Sequence, residues 1–150
     1  MPQISAIILT LNEERNIARC LDSVKDVVDE IIVVDSFSTD KTESIVSQYK
    51  ARLVKQKFLG YIEQKNFALK LASHDHILSL DADEVLSPEL RASVLEVKEK
   101  FDCDGYYMNR LANYSGQWIR HSGWYPDKKM RLFDRKICLL YTSDAADELC

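Results

Sequence analysis

Three apolar runs, Ile4 to Thr10, Glu30 to Asp35 and His76 to Asp81, most narrow what this chain can become. Each is short, rich in Ile, Leu and Val, and closed by polar residues, which predicts strands buried on both faces. Between them the periodicity changes. Ile17, Leu21 and Val24 recur at helical spacing, and Asn12 is placed to cap that helix, with Glu13 and Glu14 near its positive end. Thr42 to Tyr49 predicts a short helix and Leu53-Val54 a short third strand. After Gly60, Phe67, Leu71 and the Ala68-Ala72 pair share a helical face. Ser87-Pro88 is a good helix start, because Pro is tolerated at the first helical position. Leu90, Val94 and Val97 carry that helix to Phe101. Alternating strands and helices predict an α/β fold, a mainly parallel sheet with helices on both faces.

In such sheets ligands bind at the carboxyl ends of strands. Asn12-Glu13, Asp35-Ser36 and Asp81-Ala82-Asp83 all fall at predicted carboxyl ends. The last cluster is the most telling. Side chains alternate along a strand, so Asp81 and Asp83 are expected to point the same way. Two like charges held close repel, and a cation relieves the repulsion; hard oxygen ligands suit Mg²⁺ or Mn²⁺. A divalent ion in turn suggests a phosphate-bearing ligand.

Beyond Gly105 the texture shifts. Tyr106, Tyr107, Tyr114, Trp118, Trp124 and Tyr125, with Gly116 and Gly123, suggest twisted strands and loops, and Met130-Arg131-Leu132-Phe133 a final strand. The 150 residues suit one domain. A net charge of −4 gives no case for a nucleic-acid partner. No stretch approaches a membrane span, and the first residues enter a strand without a basic leader, so a cytoplasmic protein is expected. Cys20, Cys103, Cys138 and Cys150 lack the spacing of a zinc site or disulfide framework.

Cys138 to Cys150 does not continue the preceding pattern and resembles translated sequencing-adapter read-through. The expected organisation is therefore one domain over 1–137, cut short, with a non-native tail over 138–150.

The chain from about Ile4 to Lys136 resembles family 2 glycosyltransferases of the GT-A, Rossmann-like fold. Thr10-Leu11-Asn12-Glu13-Glu14 looks like the first-strand motif, and Val34-Asp35-Ser36-Phe37-Ser38-Thr39-Asp40-Lys41-Thr42 resembles the "D-x-x-S-x-D-x-T" loop. Gln64-Lys65-Asn66-Phe67-Ala68 resembles the "R-N-x-A/G" helix start, with Lys65 where Arg is usual. Leu80-Asp81-Ala82-Asp83-Glu84 matches the D-x-D, and Gly123 to Phe133 looks like the WaaE-like lipopolysaccharide-core glucosyltransferases.

That resemblance implies transfer of a sugar from a UDP-sugar to an acceptor hydroxyl with inversion, dependent on Mn²⁺ or Mg²⁺. It implies that Thr10, Asn12, Glu13, Asp35 and Ser36 line the nucleoside pocket, with Asp35 accepting from base or ribose. Asp83 would ligate the metal, Asp81 and Ala82 would lie against ribose or metal-bound water, and Lys65 would add positive charge. The general base should be a carboxylate opposite the leaving group, and Asp127 is the candidate. Lys128, Lys129 and Arg131 could meet phosphates, and Trp124 and Tyr125 could stack on a sugar face. The branch suggests glucose; the residues themselves leave galactose or an N-acetylated sugar open. The acceptor implied is a lipid-linked lipopolysaccharide-core saccharide. It would place the protein peripherally at the inner face of the cytoplasmic membrane, with Trp118 to Arg135 as the contact.

Three alternatives stand beside this. Leu80 to Val85 also fits the D-x-D-x-V of haloacid-dehalogenase-type phosphatases, with Asp81 as nucleophile and Asp83 as acid/base. A nucleotidyltransferase shares the metal-diphosphate logic but calls for a glycine-rich loop that Thr10 to Glu14 lacks. A chain cut near Ile137 could also bind donor without transferring anything.

Overall fold

The computed structural model describes residues 3–99, 105–110, 112–114, 117–119 and 127–135. The elements run β1 (Ile4–Thr10), α1 (Ile17–Val24), β2 (Glu30–Asp35), α2 (Thr42–Val46), β3 (Arg52–Lys55), α3 (Tyr61–Leu71), β4 (His76–Asp81) and α4 (Pro88–Glu99). Four strands follow: β5 (Gly105–Arg110), β6 (Ala112–Tyr114), β7 (Gln117–Ile119) and β8 (Asp127–Asp134). Six of the strands form one sheet in the order β3-β2-β1-β4-β8-β5, and β6 pairs with β7 apart from it.

β3, β2, β1 and β4 are parallel, while β8 runs antiparallel to both β4 and β5. Strand alternation sorts their side chains onto two faces. Ile4, Ala6, Ile8, Ile31, Val33, Leu78 and Leu80 face α1, α2 and α4, where Ile17, Leu21, Val24, Val46 and Val94 close one core. Ile7, Ile32, Val34 and Ile77 face α3 and pack on Ala68, Leu69 and Ala72. The doubly covered sheet expected from the apolar runs is present, and β1, β2 and β4 have the expected bounds.

Two helix ends show how local bonds set the boundaries. Ser87 caps α4, its hydroxyl accepting from the Leu90 N–H at 3.1 Å, with Pro88 at the first helical position. α2 stops at Val46 rather than reaching Tyr49, because the Gln48 and Tyr49 N–H groups bond three residues back, to Ile45 and Val46.

The amino ends of the strands are tied by polar contacts. The Lys98 ammonium meets Asp29 at 2.7 Å, and Asp29 also accepts from the Ile4 N–H. Glu30 accepts from the Ser5 and Ser73 hydroxyls and from the Ser73 N–H. Arg135, just after β8, donates to the Leu69 carbonyl and to Asp75. With that edge fastened, the carboxyl ends are the ones left to form a site.

β8 is longer than the expected Met130 to Phe133, beginning at Asp127, with a bulge opposite Tyr106 and Tyr107. Phe101, Trp124, Tyr125 and the tail over 138–150 lie outside the described residues.

Candidate active site

The carboxyl ends of β3, β2, β1 and β4 form a single row. Lys55 is in register with Asp35, Asp35 with Thr10, and Leu9 with Asp81. All three clusters expected at carboxyl ends therefore lie along one sheet edge. β8 adds a fourth member. Leu78 pairs with Leu132 in antiparallel register, so the start of β8 at Asp127 lies toward the same edge. Lys128 and Arg131 follow on that strand.

Asp35 is buried, at 1% exposure, and its carboxylate is well supplied with donors. The Thr10 hydroxyl donates at 2.6 Å, and Ser38 donates both its hydroxyl and, at 2.9 Å, its N–H. Burying a carboxylate without such partners would be costly.

The segments after β1 and β2 are zipped together. The Asn12 N–H donates to the Ser38 hydroxyl at 2.8 Å, and the Asn12 side-chain oxygen accepts from the Thr39 N–H at 2.8 Å. The Glu13 N–H reaches the Thr42 hydroxyl and the Glu14 N–H reaches Asp40. Slight burial opposes ionisation of Asp40, but donation from Thr42 and Glu14 outweighs it and holds the carboxyl below its usual range.

Asn12 does not cap α1, contrary to expectation. The helix starts at Ile17, and Asn16 holds the cap position without a side-chain capping bond. Asn12 sits at φ 53°, a left-handed turn that Asn tolerates, and this aims its amide at the neighbouring loop. Phe37 sits at φ 59°, where a bulky residue is strained, and its side chain is exposed at 56%. Both sharp turns lie at the site's edge.

β4 ends at Asp81, and a reciprocal turn follows. The Asp81 carbonyl accepts from the Glu84 N–H at 2.9 Å, and the Glu84 carboxylate accepts from the Asp81 N–H at 2.8 Å. Ala82 is buried in the core, Asp81 is half-buried and Asp83 is exposed at the turn. Asp83 lies past the end of the strand, so strand alternation does not set its direction relative to Asp81.

Negative charge still converges here. Cys20 on α1 is buried, and its thiol lies 3.7 Å from the Asp81 carbonyl. Burial first, then the charges of Glu84, Asp83, Asp81 and Glu13, push that thiol up to about 12. Among the described residues no three His, Cys, Asp or Glu side chains gather as a metal cage. Mg²⁺-type sites commonly use one or two carboxylates and complete their shell with phosphate and water. The exposed hard oxygens of Asp83, in this negative field, fit a site of that kind.

On α3, Lys65 and Asn66 are half-buried and follow Gln64, which is 1% exposed. The Gln64 amide donates at 3.1 Å both to the Ser36 hydroxyl and to the Gln56 carbonyl. Its side-chain oxygen is buried with no partner among the described residues. Gly60 starts this helix at φ 124°, which favours glycine, and its carbonyl accepts from the Gln64 N–H. Gln64, Ser38, Thr42 and Glu84 are connecting residues to which the sequence motifs assigned no role. Gln64 had a signal, lying four residues before buried Ala68 on the same helical face. Ser38 and Thr42 are the fixed S and T of the "D-x-x-S-x-D-x-T" loop and Glu84 follows the D-x-D, but the motifs did not say which groups these residues bond.

Residues 5–144 match the model of the family described as glycosyl transferase family 2. The chain belongs to this family. Its membership decides against the phosphatase and nucleotidyltransferase alternatives. An uncharacterized glycosyltransferase of Rickettsia felis is 44% identical over 133 residues, 89% of this chain and 44% of that protein. The lipopolysaccharide core biosynthesis glycosyltransferase LpsC of Rhizobium meliloti is 37% identical over 99 residues, 63% of this chain and 36% of that protein. This chain thus spans under half the length of these curated relatives.

Staphylococcus aureus TarS 1-349 superimposes with a TM-score of 0.66 at 21% identity, over 91% of this chain and 48% of that one. The likeness shows the GT-A fold. Glucosyl-3-phosphoglycerate synthase of Mycobacterium tuberculosis has a TM-score of 0.51 at 32% identity, over 56% of this chain and 34% of that one. That structure is a complex with Mn²⁺, UDP and phosphoglyceric acid.

Proposed function

We propose that this chain is the donor-binding part of an inverting, metal-dependent transferase that moves glucose from UDP-glucose to a lipid-linked lipopolysaccharide-core saccharide. One observation carries the proposal: Asp35, Thr10 and Asp81 stand on neighbouring strand ends of one sheet edge, in a chain of this family. The UDP and Mn²⁺ held by the mycobacterial synthase support the choice of donor and metal. The likeness to LpsC supports the choice of acceptor.

In this proposal Thr10, Asn12, Glu13 and Ser36 form the nucleoside pocket around Asp35, which accepts from base or ribose. Lys65, beside Gln64, contributes positive charge to the donor. Asp81 and Ala82 form the wall toward ribose, and Asp83 is the metal ligand. Mn²⁺ or Mg²⁺, when bound, supplies Lewis-acid neutralisation of the departing diphosphate. Asp127 takes the proton from the acceptor hydroxyl as its oxygen attacks the anomeric carbon. The diphosphate leaves from the opposite side, which inverts that carbon. Lys128 and Arg131 would meet acceptor phosphates, and Trp124 and Tyr125 would stack on a sugar ring. The acceptor's lipid places the work at the inner face of the cytoplasmic membrane.

Anomer-resolved NMR of the product tests the reaction. UDP-glucose, α-linked, offered with a heptose-terminated lipid acceptor, is expected to give a β-glucoside. An α-linked product, or glucose retained on UDP while UDP-galactose reacts, contradicts the corresponding part.

A further inference from the structure

The chain's charge is unevenly placed. Residues 50–70 hold six basic side chains and one acidic one, a local +5 in a chain of net −4. That segment comprises β3 and α3, and β3 is the terminal strand of the six-stranded sheet. Lys50, Arg52, Lys55, Lys57 and Lys70 are exposed. Lys55 meets Glu43 at 2.9 Å, which tempers one of the five.

The turn from β3 into α3, just after Lys55 and Lys57, carries an apolar knob. Phe58, Leu59 and Tyr61 are 44%, 60% and 74% exposed. Phe58 and Tyr61 stack edge to face at 5.1 Å, so two aromatic rings are held together in solvent. Exposing one large apolar side chain is ordinary; a run of three beside a cationic edge is not. Lysines attract an anionic surface over about 10 Å at moderate salt, and aromatic rings favour the interfacial layer of a bilayer.

We propose that the β3–α3 edge docks on an anionic lipid bilayer, with the lysines over the headgroups and Phe58, Leu59 and Tyr61 entering the interface. This surface differs from the Trp118 to Arg135 stretch considered from sequence. It also goes beyond the transfer reaction: docking is read without substrate, so its failure leaves the proposed donor site standing.

Flotation with vesicles tests it. The chain is mixed with vesicles of phosphatidylcholine alone or of equimolar phosphatidylcholine and phosphatidylglycerol. Three variants are compared: Lys55→Gln with Lys57→Gln, Phe58→Ser with Tyr61→Ser, and a control, Arg19→Gln with Lys25→Gln. All six positions are exposed, and circular dichroism confirms each fold. Binding to the anionic vesicles alone, weakened by salt, is expected. Each lysine near the surface contributes about fivefold, so the lysine pair should lower partitioning roughly 25-fold. The aromatic pair should lower it as well, and the control should keep wild-type binding. No binding, equal binding to neutral vesicles, edge variants that bind like wild type, or a control that loses as much overturns the proposal.

Discussion

The Thr10 hydroxyl donates to the buried Asp35 carboxylate at 2.6 Å, across the boundary between β1 and β2. The two residues are register partners at the last rung of the ladder, so the bond fixes the carboxylate where the strands end. Ser38 adds two more donors from the loop beyond. Asp35 thereby joins the sheet to the loop that zips onto Asn12.

Thr10→Val keeps the shape and removes the donor. Hydrogen bonds to charged groups contribute about 1.5–3 kcal/mol, so urea unfolding should show a loss of roughly 2 kcal/mol. Ser38 remains to hold the carboxylate, so the fold survives. UDP affinity should fall as well, because Asp35 loses one of its restraints. Unchanged stability would mean the bond is not formed in solution.

Gln64→Glu isolates the amide's role. A carboxylate cannot donate to the Gln56 carbonyl, and it is buried where Gln64 is 1% exposed. Burial raises the pKa of the introduced acid in the folded state. The folded chain then holds its proton to higher pH than the unfolded chain, so stability falls as pH rises past about 4.3. The variant should lie closest to wild type near pH 4 and furthest below it at pH 7, in melting temperature and in UDP affinity. A deficit that does not change with pH would rule out this account.

Part of the acid limb of stability lies at the opposite edge of the sheet. Burial works against ionised Asp29, but the Lys98 and Ile4 donors outweigh it and hold its carboxyl low. Burial likewise opposes Glu30, and the Ser73 N–H with the Ser5 and Ser73 hydroxyls overcomes it. Both folded pKa values are lowered, so the unfolded chain takes up protons first as pH falls. Their stabilisation is complete above the unfolded values, about 4, and is lost as pH drops through the folded ones. Melting temperature against pH should therefore fall below about pH 4, and more gently in Asp29→Asn with Glu30→Gln. A variant with the same acid slope as wild type would contradict this.

Much of the frame was legible because buried parallel strands are written as uninterrupted apolar runs. Ile4 to Thr10, Glu30 to Asp35 and His76 to Asp81 became strands with those bounds, and Ser87-Pro88 began a helix as its residue types require. The loops were less legible. Asn12 has the chemistry of a cap, yet its positive φ gives its amide to Thr39, 27 residues away in sequence. Alternation was assumed to persist through Asp83, but the Asp81–Glu84 turn ends the strand first. The start of β8 was missed because Asp127, Lys128 and Lys129 carry no apolar signal. Gln64 looked like part of a motif, whereas its bonds to Ser36 and Gln56 depend on where β2 and β3 end.

The central claim is a metal-dependent UDP site at this sheet edge, and thermal unfolding across a nucleotide panel tests it most directly. The chain and Asp83→Asn are melted with UDP, ADP or GDP, each with Mn²⁺ or with EDTA. A ligand near 100 times its dissociation constant stabilises by about 2.7 kcal/mol, a rise of roughly 5–10 °C for a chain this size. The account predicts that rise for UDP with Mn²⁺, little with EDTA or the other nucleotides, and its loss in Asp83→Asn. A rise that persists in EDTA or in the variant, or no rise in a chain that melts cooperatively, contradicts it.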